Sequence, residues 1–256
     1  MIVRVENRRL FIGLLAALIV LAWLGLWIWG QSPYGRFLDH TELSLVSGYD
    51  AGLLVFFVTG WTLMVFAMML PTSLPLIALF QTMTRDRADH KLLVGLLIAG
   101  YVGVWTWFGV AVHLGDLALH RVTEQSVWLS GNYWVLGASV LVMAGAYQFT
   151  PLKYHCVNKC RSPLSFIISH WTGKSEKLQA LRLGMHHGVF CVGCCWSLML
   201  LMFAVGSGNI GWMLVLGTVM AIEKNLPWGR RVIKPLGVFL LVWGLGLGLN
   251  AQFAHF

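Results

Sequence analysis

Charge is what this sequence has least of. Only 11% of its 256 residues are Asp, Glu, Lys or Arg, while 58% are hydrophobic, less than half the charge of an ordinary soluble domain. A soluble chain of this length forms one or two domains under a polar surface, and there are too few charges here to cover one. Acidic residues are the scarcest, 10 against 18 basic ones, for a net charge of +8. That excess does not read as a nucleic-acid surface, because the basic residues punctuate apolar runs instead of clustering with aromatics on one polar face. Nucleic acid is therefore not expected as a partner. Cysteine is sparse and odd in number, at five, which excludes the paired framework of a small secreted protein. No small-residue cleavage site follows the apolar run from Leu10 to Gly30. That run is too long for a signal-peptide core, and it reads as an uncleaved first span. Phosphate loops, dinucleotide fingerprints, HExxH and Ser–His–Asp sets are all missing, so no catalytic residue is expected.

Long apolar runs are what the sequence does have. A membrane span needs roughly 20 mostly apolar residues, and seven segments qualify: 10–29, 51–70, 92–112, 127–149, 185–205, 210–222 and 235–251. The sixth is short and can include Glu223 and Lys224 at its end. Pro71 and Pro75 predict a break or bend between Leu70 and Phe80 at the end of the second span. Of the 18 Lys and Arg residues, 16 fall in the amino-terminal tail and the second, fourth and sixth loops. The positive-inside rule makes those segments cytoplasmic. The expected architecture is an all-α integral membrane protein, a single polytopic domain over residues 1–256. It is a bundle of about seven transmembrane helices with the amino terminus cytoplasmic and the carboxyl terminus outside. The loop from Thr150 to Gly184 is then a basic cytoplasmic segment, whose charge reads first as ordinary topology charge.

The fifth span opens with GMHHGVFCVGCCWSLMLLM, residues 184 to 202. At about 100° per residue, His187, Cys191, Cys194 and Cys195 fall within one arc of roughly 100°. Met202 continues the stripe. A single buried Cys is usually a small hydrophobe, but three in five residues beneath a His pair form a soft ligand set, suited to Cu(I) or Zn(II) over Mg or Ca. Cys156 and Cys160 follow the fourth span, and that loop and the fifth span share the cytoplasmic side. They can therefore meet His187 and Cys191. With metal–thiolate arms of about 2.3 Å, ligand sulfurs stand roughly 4 Å apart. Cys194 is the least certain member, because adjacent thiols on a helix do not both point readily at one centre. Met68 reaches the same depth from the second span, although Met stripes are usually packing. Glu223 is a candidate because carboxylates near membrane helices tend to be functional. Its competing reading is an ion pair with Lys224 or with a neighbouring basic segment. On the outer side, Asp39, His40, Glu42 and Asp50 occupy the first loop. His113, Asp116, His120 and Glu124 follow the third span, a pattern more often a solvated helix end than a metal site.

The stretches AMMLPTSLP, YQFTPLKYHCVNKCRSPLSF, GVFCVGCCWSLM and EKNLPWG resemble, in that order, a bacterial family of predicted metal-binding integral membrane proteins. CVGCCW is the most specific piece. The resemblance implies a multi-pass protein of the bacterial inner membrane, and it strengthens the choice of Cys156, Cys160, Cys191, Cys194, Cys195 and Glu223. The expected function is metal handling: binding, delivering or translocating a soft metal, copper before zinc, through a Cys/His/Met site in the cytoplasmic half. The ligands expected are Cys156, Cys160, His187, Cys191, Cys194, Cys195, Glu223 and Met68. Expected partners are the lipid bilayer, other membrane subunits, and a metal-donor or metal-acceptor protein. Two other readings stay open: a non-catalytic subunit of a larger membrane complex, and a thiol–disulfide membrane redox protein.

Overall fold

A computed structural model describes residues 2–31, 51–132, 134–172, 175–205 and 209–253. Among the described residues every regular element is helical: α1 (Ile2–Gln31), α2 (Ala51–Met64), α3 (Leu70–Thr84), α4 (His90–Gln125), α5 (Val127–Ser130), α6 (Trp134–Tyr147), α7 (Pro151–Cys160), α8 (Pro163–His170), α9 (Glu176–Val205), α10 (Ile210–Asn225) and α11 (Arg230–Phe253). Five stretches are long and apolar enough to cross a membrane: Gly13–Gln31, Phe57–Thr84, His90–Thr123, Glu176–Met202 and Arg230–Leu249. A sixth is reached if α6 and α7, bent by 68°, count as one broken span. Helix α10 has only 16 residues. Asp39, His40, Glu42, Asp50 and the last three residues lie outside the described residues, as does the side chain of Glu124.

Helix α9 is the central post. Its most extensive partner is α4, and it also packs on α6, α7, α8 and α10. The α4–α9 approach is set by two glycines. A Cβ on Gly184 would collide with the Leu97 carbonyl, and one on Gly100 with the Leu181 carbonyl. Small residues that let backbones touch are the usual means of close packing between apolar helices, which gain little from hydrophobic contrast in lipid. An ion pair between Arg87 and Glu176 ties the turn before α4 to the start of α9.

The prolines act one turn earlier than the sequence suggests. No break occurs between Leu70 and Phe80, since α3 runs on through Pro75 to Thr84. The irregularity is a π turn at Val65–Met69, where the Leu70 N–H reaches the Val65 carbonyl five residues back. Pro71 has no N–H, and its ring crowds the carbonyl four residues before it. Widening the preceding turn relieves that crowding and lets the helix continue.

The basic segment from Thr150 to Gly184 is not an extended loop. The chain tightens after Tyr147, with the Thr150 N–H on the Tyr147 carbonyl at 3.0 Å. Thr150 is then extended (φ −75°, ψ 143°), as a residue before proline prefers. Pro151 opens α7 at a position that needs no N–H, and the Thr150 side chain caps it by accepting from the Lys153 N–H at 3.3 Å. The resulting bend turns α7 inward, so Lys153, Cys156 and Val157 are buried.

Candidate functional site

The thiols lie in the main apolar core, among Met64, Met68, Met69, Met199, Met202 and Met220. Cys191, Cys194 and Cys195 are fully buried on α9 and Cys156 is buried on α7. Cys160 is half-buried at the end of α7. All five are free thiols. Cys160 Sγ is 4.0 Å from Cys194 Sγ, and Cys194 Sγ is 3.3 Å from Cys195 Sγ. The Cys194 thiol also donates to the Cys191 carbonyl at 3.1 Å. The two helices therefore meet sulfur to sulfur, through Cys194, the member that the sequence leaves least certain. Cys156 is placed differently. Its sulfur fills the notch left by Gly193, where a Cβ would stand only 2.6 Å away. That contact explains the glycine inside CVGCCW, whose carbonyl also accepts from the Tyr147 hydroxyl.

Three buried groups frame the thiols. Cys191 Sγ is 2.9 Å from Lys224 Nζ and 3.1 Å from the Tyr101 hydroxyl. Lys224 Nζ also donates to Thr72 Oγ1 at 3.2 Å, and the Tyr101 hydroxyl to the Met69 carbonyl at 3.1 Å. Lys153 Nζ donates to Glu223 Oε2 at 2.6 Å and to the Cys194 carbonyl at 2.8 Å. That ion pair is sealed, with side-chain exposures of 0% and 1%. The other carboxylate oxygen, Glu223 Oε1, has no hydrogen-bond partner, and Arg161 donates instead to the Glu223 backbone carbonyl at 2.6 Å.

His187 is buried one turn before Cys191, with its ring against Tyr101 and Nε2 3.1 Å from Ser73 Oγ. Met68 lies against Gly217 of α10, its Cε 3.6 Å from where a Cβ would stand. On the outer set, His113 stacks on Phe57 at 4.5 Å, while His120 Nδ1 stands 3.8 Å from Asp116 Oδ1. Among the described residues, no group of three or more His, Cys, Asp or Glu side chains converges as a ready metal cage. Cys160, Cys194 and Cys195 form an open file of sulfurs.

Sequence reasoning missed Lys153 and Tyr101, and took Lys224 only as a partner for Glu223, whereas it faces Cys191. A signal for Lys153 was present: with Cys156 and Cys160 it follows i, i+3, i+7, one face of a helix. No such pattern marks Tyr101.

No curated protein and no solved structure matches the chain. A family model does: its description is PpoB2, copper chaperone, and it covers residues 58–247. That stretch takes in the π turn, both faces of the sulfur file and the buried lysines, and the chain belongs to this copper chaperone family.

Proposed function

We propose that the protein is a multi-span membrane protein that holds Cu(I) as cargo on the sulfur file and passes it to an acceptor. The observation that carries this reading is the 4.0 Å approach of Cys160 to Cys194, from two different helices. Two metal–thiolate arms of about 2.3 Å span at most about 4.6 Å, so one ion fits between this pair. Zinc in structural sites is almost always held by four ligands in a closed tetrahedron, and an open file of thiols suits Cu(I) better. Cys195 adjoins Cys194 at 3.3 Å, Cys191 stands one turn earlier on α9, and His187 one turn before that. Cys156 shapes the wall, and Met68 supplies soft, polarizable packing. Glu223 has one oxygen open for a metal while the other holds Lys153. Delivery requires only this site, whereas translocation would need a route to the outer face as well.

The membrane setting rests on the outward faces. Leu14, Leu21, Ile28, Val242 and Leu249 are all more than half exposed, and an apolar surface of that extent needs a covering. The seven-span arrangement takes α10 as a short sixth span and α6 with α7 as a broken fourth. The basic segments then put the amino terminus and the sulfur file on the cytoplasmic side of a bacterial inner membrane.

Metal analysis of the purified protein beside its Cys194→Ser variant tests the reading. Copper retained by the parent and lost from the variant supports it. A parent that binds no copper from a Cu(I) chelate sinks it. One observation favours a second reading, thiol–disulfide exchange: Lys224 supplies beside Cys191 the cation that a reactive thiol requires. Reversible disulfide formation without bound copper is the outcome that reading expects.

A further inference from the structure

A second group of imidazoles gathers where α8 meets α9, outside the thiol file. His170 closes α8. Its Nδ1 lies 2.9 Å from the Phe166 carbonyl and 2.8 Å from Ser169 Oγ. The Ser169 hydroxyl is itself committed to that same carbonyl at 2.9 Å. A carbonyl only accepts, so the proton of a neutral His170 belongs on Nδ1, and Nε2 is left with a bare lone pair. Anchoring one ring nitrogen on a backbone carbonyl is how proteins orient an imidazole that ligates a metal through the other.

The ring facing His170 is that of His186, with centroids 4.9 Å apart and planes at 74°. His170 is half-buried and His186 exposed, so the pair opens on the surface. The next residue, His187, is buried and its Nδ1 has no hydrogen-bond partner. Phe166 touches both sides of this step, stacked on His170 at 4.6 Å and edge-on to His187 at 5.6 Å. One helical turn further along α9 stands Cys191. His186 at the surface and His187 in the interior are thus consecutive on α9, with Phe166 against both His170 and His187.

We propose that His170 and His186 form a surface loading station for a soft monovalent cation, Cu(I), which moves by way of His187 to the thiols. Only the onward transfer rests on the copper-handling reading above. The metal keeps its oxidation state throughout: one nitrogen lone pair replaces another, the last is replaced by a cysteine sulfur, and the thiol proton passes to the imidazole nitrogen that the metal leaves.

The full chain in detergent, labelled with ¹⁵N-histidine, can be titrated with Ag(I), a soft monovalent probe that does not change redox state under these conditions. The ring signals of His170 and His186 are expected to shift, and His186→Gln to abolish the shift at His170. With a Cu(I) chelate as donor, His186→Gln should slow loading about tenfold, the lower end of what losing a ligand's support costs, without changing the copper finally retained. Because His186 is exposed, the variant is expected to fold. Unmoved His170 and His186 signals overturn the station, and so does a loading rate in His186→Gln equal to the parent's. If the signals shift while the thiols take up no copper, the station stands and the copper-handling reading falls.

Discussion

Removing Lys153 tests whether the frame around the thiols is held electrostatically. Lys153→Met keeps an unbranched side chain, one atom shorter, and deletes its charge. Two contacts go with it: the 2.6 Å bond to Glu223 Oε2 and the 2.8 Å bond to the Cys194 carbonyl. Glu223 would then be a carboxylate at 1% side-chain exposure with no donor on either oxygen, since Oε1 already has none and Arg161 serves the backbone carbonyl. Stranding one partner of a buried pair costs about 3–5 kcal/mol, a loss of roughly a hundredfold to several thousandfold in the folded-to-unfolded ratio. Adding Glu223→Gln neutralises the stranded charge, and the double variant should recover at least half of the loss. Reversible unfolding in mixed micelles measures all four proteins of the cycle. A cost below about 1 kcal/mol for Lys153→Met, or single costs that simply add in the double variant, would show the two groups to be uncoupled and refute the reasoning.

The α4–α9 contact makes a sharper steric prediction. Gly100→Val must push apart backbones that touch, whereas Gly103→Val meets nothing within 4 Å. The first should lower the melting temperature and yield markedly and the second hardly at all, and equal behaviour would remove the close-packing argument. Topology is open to direct test: reporter fusions after Phe256 and near Lys174 should report opposite compartments, and matching signals would end the seven-span arrangement.

The helical, apolar character of the chain was legible from composition because low charge and long apolar runs leave few alternatives. A metal-related family was legible from the cysteines, and the family that matches is described as a copper chaperone. Local geometry was harder to read. Pro71 and Pro75 marked an irregularity, but proline acts on the turn before it as much as on its own, so the distortion sits at Val65–Met69. The segment after Thr150 looked like a loop because its charge was read as surface charge. Nothing in a loop assignment anticipates that Pro151 starts a helix turned into the core.

The two buried lysines show why the electrostatics resisted reading. A Lys at a helix end counts as topology charge, and both Lys153 and Lys224 stand near such ends. Geometry on the helix itself carried better information. Glu223 and Lys224 are adjacent, so their side chains leave α10 about 100° apart and do not face one another. An ion pair between them is therefore disfavoured from the start, and each must find its partner on another helix. Glu223 takes Lys153 from α7 and Lys224 takes Cys191 on α9. The neighbouring basic segment was thus the right source for the partner of Glu223. One adjacent pair of opposite charges on α10 in this way ties together the two helices that carry all five cysteines. Exchanging the two residues, as Glu223→Lys with Lys224→Glu, would set lysine against Lys153 and take away the ammonium that faces Cys191. The exchanged protein should fail to bring Cys160 to Cys194, which disulfide trapping of that pair with a mild oxidant would measure against the parent. Equal trapping in both would mean that apolar packing alone aligns the sulfur file.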